Sequence, residues 1–454
     1  MFSKTEQKLF LKNLEDLQKI SSTISEEIIK PTREDKNKIM DIIIQYIKDN
    51  NMIIYGGNAQ NLAVKRIDPK GCFYDENEIH DFDTYSSSPV QDAINICNLI
   101  YNAGYKNVLA QEAIHVETYT IKYGNLGLCD LSYVPKYILD NLNTYTVDGF
   151  RIIDPYFAYI DFMRVFSDPL VSSSFRWEKH FDRFNIMQQY YPLEPKYSKI
   201  ERDNNNILNK EIKDIIKEEL KKSDTLISVG LDCYNKYVEL TLKSEDKISL
   251  KYYTLITSNY LIDTQYIYDL LKKKYKNRIT KKEKYPFFQF WDFSCEIYLD
   301  DELIINIFGN NNICIQYKEL KGIKYASFTT NLMWFMIENV YNKMFNKDCS
   351  GSPSPENKIK INSIYFKLLQ NMLYMKVKYL KEHKKTILDD TFFQHFVLTC
   401  SGVPIDPTEQ RKKIRNYIGF KYVPSKVMLK ELPKIYSNIS GRFINPKNEK
   451  IDDL

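Results

Sequence analysis

Histidine and glycine are both scarce in this 454-residue chain, at 5 and 14 copies. The five histidines are dispersed, and the eight cysteines lie scattered at positions 72, 97, 129, 233, 295, 314, 349 and 400 with no CxxC pair. Neither a zinc module nor a disulfide framework is supported, and a reducing, cytosol-like compartment is expected. No apolar run is long enough to span a bilayer, and the first residues, Met1 to Glu6, contain no secretory hydrophobic region. A membrane partner is therefore not expected. A strong charge of one sign is missing too: the net charge of +5 permits nucleic-acid binding without demanding it. What is present, 43% hydrophobic and 27% charged residues, is the composition of a soluble globular protein. This length predicts two domains with appendages. Few glycines beside many Lys, Asn, Ile and Tyr reflect coding bias as much as function.

One stretch organises the rest. Met52-Ile53-Ile54-Tyr55 reads as a short apolar strand that breaks at Gly56-Gly57-Asn58 into a helix. A glycine pair there lets backbone N–H groups approach a phosphate, with the positive end of the helix dipole behind them. By itself such a pair is also the mark of a tight turn. Ile79-His80-Asp81-Phe82-Asp83-Thr84-Tyr85 reads as a strand whose two aspartates share a face, roughly 6.6 Å apart. A third acid, Asp130, stands in the apolar strand Leu128 to Val134. Three such acids on neighbouring strands would repel one another unless a cation sits between them. The alternative is three solvated turn aspartates. Glu117, on the strand before Asp130, is the reserve for the third acid, and His115 reads as an ordinary strand residue.

Gly56-Gly57, then Asp81-x-Asp83, then a lone Asp130 between hydrophobic neighbours resemble the nucleotidyltransferase superfamily of polymerase β-like proteins. Over most of the chain the likeness is to the poly(A) polymerase catalytic subunits of large DNA viruses, the poxvirus and mimivirus-like group. One departure is the polar stretch from Asp68 to Glu78, longer than many superfamily members carry between the glycines and the first acids. The resemblance implies an α+β fold and transfer of AMP from ATP to the 3′-hydroxyl of single-stranded mRNA. It implies two Mg²⁺ or Mn²⁺ ions held by Asp81, Asp83 and Asp130, and a triphosphate cradled at Gly56, Gly57 and Asn58. It also implies a homodimer as in mimivirus-like relatives, or a cap-methyltransferase subunit as in poxviruses, working in the virion and host cytoplasm.

Along the chain, residues 1–50 show helical apolar spacing divided at Pro31, with Thr32 or Asp35 able to cap the second helix. These helices are expected to pack on a catalytic domain spanning 51–190. Within it, Pro89 to Tyr101 reads as a helix, and residues 112–122 and 127–134 as a hairpin turning at Gly124-Asn125. An apolar helix follows from Pro155 to Val165. Arg176, Lys179 and Arg183 then fall at i, i+3, i+7, a stripe that suits a triphosphate or RNA backbone, or equally a solvated face.

Residues 191–206 read as a linker, and beyond it the chain starts again. A strand ends at Gly230, a hairpin turns at Asp300-Asp301, and another apolar helix follows Gly322. Gly57 to Gly149 and Gly230 to Gly322 both span 92 residues. The reading is a duplicated nucleotidyltransferase unit over 207–454, catalytically dead because Asn306 stands near the place of Asp130 and residues 248–253 offer no Asp-x-Asp. This copy holds the densest basic run, Lys272, Lys273, Lys274, Lys276, Arg278, Lys281 and Lys282, which suits a phosphate backbone or is a solvated loop. Arg411 to Arg415 is a weaker patch. The competing functions are another nucleotidyltransferase, of oligoadenylate or CCA-adding type, and an inactive RNA-binding or assembly subunit.

Overall fold

The computed structural model describes residues 3–14, 16, 18–20, 32–74, 80–113, 117–167, 176–200, 208–287, 290–310, 314–345, 364–402 and 420–424. The basic patch at 411–415, the loop at 350–355, His115 and the last residues lie outside them. The chain forms two compact units, residues 1–139, 144–153 and 411–454 in the first, and 140–143 with 154–410 in the second.

The first unit opens with α1 (Lys4–Lys12) and α2 (Arg33–Asp49). Thr32 caps α2, its hydroxyl accepting the N–H of Asp35 at 3.1 Å, a contact of about 1 kcal/mol. The helix buries Ile39, Met40, Ile43 and Ile47, which recur at three- to four-residue spacing. Then come β1 (Ile53–Tyr55), α3 (Gly56–Ile67), β2 (Phe82–Ser86), α4 (Pro89–Asn102), β3 (Val108–Glu112), β4 (Thr118–Tyr123), β5 (Leu126–Tyr133), β6 (Thr144–Val147) and β7 (Phe150–Ile153). The strands form one sheet in the order β3-β4-β5-β2-β1-β7-β6. β1 runs antiparallel to β2 and parallel to β7, and β2 runs parallel to β5. Along β5 the side chains alternate. Cys129 and Leu131 are buried on one face, while Asp130 and Ser132 point to the other.

Residues 420–424 return to this sheet. Lys421 bridges to Gln111, the Tyr422 N–H donates to the Ala110 carbonyl at 2.8 Å, and the Tyr422 hydroxyl donates to Asn98. They cover backbone groups that β3 would leave unpaired at the edge. The sequence placed this segment in the second copy.

The second unit holds α5 (Pro155–Ser167), α6 (Trp177–Tyr190), α7 (Lys210–Lys222), β8 (Leu226–Val229), α8 (Leu231–Thr241), β9 (Tyr253–Thr257), α9 (Tyr260–Tyr275), β10 (Ile279–Lys284), β11 (Ser294–Leu299), β12 (Glu302–Gly309), β13 (Ile315–Leu320), β14 (Ile323–Ala326), α10 (Phe328–Phe345), α11 (Ile364–Glu382) and β15 (Cys400–Ser401). α5 and α6, assigned from sequence to the catalytic domain, belong to this unit because α5 packs along α10, its counterpart in the repeat.

The second sheet runs β10-β11-β12-β9-β8-β14-β13-β15. Without β15 this is the first sheet's order, and the parallel and antiparallel relations match pair by pair. The duplication inferred from glycine spacing is therefore present as topology. Its register is one residue off: Tyr55 pairs with Asp83 before Gly56, and Val229 pairs with Thr254 before Gly230, so Gly56 rather than Gly57 matches Gly230. Both hairpins turn where expected, at Gly124-Asn125 and at Asp300-Asp301. In the second hairpin both turn residues have positive φ, 50° and 64°, as a two-residue type I′ loop requires. Among the described residues the scattered cysteines pair once: Cys314 and Cys400, 86 residues apart with Cα atoms at 5.4 Å, join the residue before β13 to β15.

Candidate active site

β1 delivers the chain to Gly56, which takes φ +67°. A Cβ built there would stand 2.1 Å from the Asp83 Oδ2. Glycine is thus required twice, for its left-handed backbone and for room beside a carboxylate. α3 starts at once, with no side-chain cap and no acid in its first turn. Its first N–H groups are therefore not taken by a side chain of the cap residue, and the positive end of the helix lies beside the acids. Gly57 is buried in that turn, and Asn58 donates from Nδ2 to the Asp81 carbonyl at 2.6 Å, tying the helix start to the residue that precedes β2.

The register fixes where the carboxylates stand. Asp83 pairs with Tyr55 on one side and with Asp130 on the other, so Asp83 and Asp130 are side by side on one face of adjacent strands. Asp81 is exposed, one residue before β2 and with the parity of Asp83. The Cys129 thiol is pushed well above its ordinary range, by burial first, then by Asp130, Asp83 and Asp81. Among the described residues no three Asp, Glu, His or Cys side chains stand close enough to hold an ion as they are. The strands fix the face and the register. Glu117, the reserve acid, is exposed in a left-handed conformation (φ 59°) ahead of β4, where its carbonyl takes the Tyr133 N–H.

Matching registers give each acid its counterpart in the second unit. Asp83 corresponds to Thr254, Asp130 to Asn306, and Asp81 to Tyr252. The glycine turn there is filled as well: the Gly230 N–H donates to the Asn331 Oδ1 at 2.7 Å, and Asp232 occupies the first turn of α8, accepting from Ser228. The acid paired across the strands with Asn306 is Glu296, 8% exposed, which is paired to Lys284 and accepts from the Tyr298 hydroxyl at 2.6 Å.

The cations named from sequence lie in this second unit. Arg176 directly precedes α6, which carries Lys179 and Arg183. His180, on the same helix, has its imidazole pressed down to about 4 by burial and then by the charges of Arg183, Arg176 and Lys179. Lys272, Lys273 and Lys274 end α9, Lys276 and Arg278 follow, and Lys281 and Lys282 lie on the edge strand β10. Several have local partners: Lys274 pairs with Glu211 at 2.6 Å, Arg278 with Asp300, and Lys281 with Glu283 at 3.5 Å. Lys272 and Lys281 both lie over the Tyr268 ring, and Lys282 over Tyr298.

A mixed sheet with a glycine turn into an uncapped helix, and acids side by side on its central parallel strands, defines an enzyme of the nucleotidyltransferase fold. The poly(A) polymerase catalytic subunit model matches residues 41–172, and a model described as "APMV, Putative poly(A) polymerase, catalytic subunit, C-terminal" matches 185–452. The chain belongs to the poly(A) polymerase catalytic subunit family, and it is a polynucleotide adenylyltransferase. It is 28% identical over 500 aligned positions to a putative poly(A) polymerase catalytic subunit of Acanthamoeba polyphaga mimivirus, covering 99% of this chain and 83% of that one. A protein of the same description from African swine fever virus (isolate Pig/Kenya/KEN-50/1950) is 32% identical over 160 residues, 34% of this chain and 33% of its own. The crystal structure of the Megavirus polyadenylate synthase superposes with a TM-score of 0.77 at 26% identity, covering 99% of this chain and 93% of that one.

Proposed function

We propose that this polymerase extends the 3′ end of mRNA by transferring AMP from ATP at Asp81, Asp83 and Asp130, without a template and with release of pyrophosphate. The observation that carries the reading is the side-by-side register of Asp83 and Asp130 next to the Gly56 turn. Carboxylate oxygens are hard donors suited to Mg²⁺ or Mn²⁺, and the close packing of Gly56 on Asp83 leaves that carboxyl little freedom to turn away. Two such ions, when bound, supply charge neutralisation at the triphosphate and a more acidic primer hydroxyl. The chain's own groups do the rest. The Gly57 and Asn58 N–H groups at the start of α3 receive phosphate oxygens. Asp130 orients the primer hydroxyl and takes its proton on a carboxylate oxygen. The O3′–Pα bond forms as the bond from Pα to the β-phosphate oxygen breaks, and the electron pair leaves with pyrophosphate. Positioning and charge supply most of the rate.

Arg176, Lys179 and Arg183 are assigned to phosphate oxygens of ATP, and the 272–282 run to the RNA backbone. A homodimer acting in the host cytoplasm and virion completes the proposal, with a cap-methyltransferase partner as the variant found in poxviruses. Incubation with ATP, Mg²⁺ and a single-stranded RNA primer tests it. Stepwise 3′ lengthening that vanishes in Asp83→Ala is expected. RNA binding without lengthening, across metals and nucleotides, would leave only an inactive RNA-binding subunit.

A further inference from the structure

Behind the carboxylates lies a second polar row on the same face of the sheet. Tyr55 pairs with Asp83, Tyr85 stands two residues beyond Asp83, and Ser132 two residues beyond Asp130, so all of them share the acids' side. The Tyr55 ring lies flat on Tyr85, with centroids 4.1 Å apart and planes within 4°. Its hydroxyl is 2.7 Å from the Ser132 Oγ, which is in turn 2.9 Å from the Thr118 Oγ1. Tyr85, Ser132 and Thr118 are each at most 3% exposed. One side chain on β1 thus grips β2 through a ring and β5 through a hydroxyl, and β5 is tied on to β4.

Tyr55 is also the residue from which α3 departs, directly before the glycine that must clear the Asp83 carboxylate. Any drift of β1 against β2 or β5 would move Gly56 relative to Asp83 and Asp130 together. The repeat shows what the row is for. In the second unit the same register positions hold Val229, Ile256 and Phe308 in place of Tyr55, Tyr85 and Ser132. The sheet keeps its order without these polar ties. The fold does not need them, and they are present only in the copy that keeps its acids.

We infer that Tyr55, through its hydroxyl bond to Ser132, is a positioning residue that holds Gly56, Asp83 and Asp130 in register for divalent-cation and nucleotide binding. This rests on the reading of Asp83 and Asp130 as the cation-holding pair. Groups that brace ligands from behind typically cost 10- to 100-fold in metal affinity or activity when removed.

The test uses the full chain and the variants Tyr55→Phe, Ser132→Ala and the double variant, with Asp83→Asn as reference. Mn²⁺ binding is measured by calorimetry in the presence of a non-hydrolysable ATP analogue, and kcat and KM for RNA are measured separately. Tyr55→Phe keeps the ring stack and removes only the hydroxyl. It should weaken Mn²⁺ binding and lower kcat by about tenfold each, with the KM for RNA within about twofold. Ser132→Ala should do the same, and the double variant should lose no more than either single one. Tyr55→Phe with wild-type Mn²⁺ affinity and kcat would overturn the inference, as would losses that add fully in the double variant. If Asp83→Asn is dead while Tyr55→Phe is normal, only this inference falls. If Asp83→Asn stays active, the reading of the site falls with it.

Discussion

The two copies of the nucleotidyltransferase unit share a strand order but few side chains. In the first, strands β2 and β5 bring Asp83 beside Asp130, and in the second, β9 and β12 bring Thr254 beside Asn306. The buried faces of both sheets are built from the same kind of residues, chiefly Ile, Leu, Val and Phe. Topology is therefore carried by apolar alternation, which tolerates wide substitution as long as burial is kept. The proposed chemistry rests on the few polar positions beside the Gly56 turn. At the corresponding positions of the second copy, Asn331 accepts from the Gly230 amide and Lys284 pairs with Glu296.

The sharpest way to break the comparison is to give the first copy the second copy's residues. Asp83→Thr or Asp130→Asn should lower kcat by about a thousandfold or more, since several kcal/mol of charge stabilisation go with the carboxylate. The melting temperature should stay within a few degrees, because the second copy folds with those residues. Primer extension and a thermal melt on the same preparation check both halves. Loss of the fold along with activity would show that the acids also hold the sheet together.

The glycine turns separate the copies next. At Gly56 a methyl group would meet Asp83 Oδ2 at 2.1 Å, whereas at Gly230 the nearest atom is the Thr254 Cβ at 3.4 Å. Both have positive φ, and Gly230 lies at φ 74°, ψ −133°, outside the left-handed α basin, so each alanine carries about 1–3 kcal/mol of backbone strain. Only Gly56→Ala also displaces a carboxylate. It should be inactive and more destabilised, while Gly230→Ala should keep most of its activity. Equal loss in the two variants would mean that backbone strain, not the clash with Asp83, decides the outcome.

The residues that survive this comparison are those that strand alternation made legible. Asp81 and Asp83 could be placed on one face from their spacing, Asp130 joined them only through the family resemblance until the register set it beside Asp83, and Asn306 could be matched to Asp130 because both sit on the second arm of a hairpin with a tight turn. Which of two adjacent glycines takes the left-handed backbone is not written in a Gly-Gly pair, and the repeat was aligned one residue off for that reason. The apolar pattern of Pro155 to Val165 identified a helix but not its partner, which is α10, about 170 residues onward. The Cys314–Cys400 pair and the strap at Lys421 on β3 likewise depend on residues far apart in sequence coming together. Tyr55 and Ser132 were passed over because tyrosine and serine in strands carry no local signal, and only the stacked register shows that they meet.

A smaller effect should come from restoring an acid to the second copy. Asn306 faces Glu296 across the strand pair, with Lys284 as the compensating cation. Asn306→Asp would set like charges directly opposite one another, at a cost of about 1 kcal/mol. All three tryptophans, Trp177, Trp291 and Trp334, lie in the second unit, so urea unfolding followed by their fluorescence reports that unit alone. A lower midpoint is expected, with polymerase activity little changed. A higher midpoint on adding Mn²⁺ to the variant would show that the second copy is closer to a working site than its side chains suggest.

The last distinction is a response of the second unit to acid. His180 is held to about 4 by burial and the cations around it, and His395 to about 3 by burial and then Lys376, whose Nζ lies 2.7 Å from its Nε2. Both lie below the ordinary value of 6.5, so between about pH 6.5 and these values the unfolded chain binds more protons than the folded one. The stability tied to the neutral imidazoles is complete above pH 6.5 and is lost as the pH falls through 4 and then 3. The tryptophan-reported midpoint in urea should therefore drop between pH 7 and pH 5, with a slope set by at most two protons. His395→Gln, which cannot take up a proton, should flatten that slope by about half. A midpoint that does not move between pH 7 and pH 5 would mean that both imidazoles reach solvent and titrate as they do in the unfolded chain.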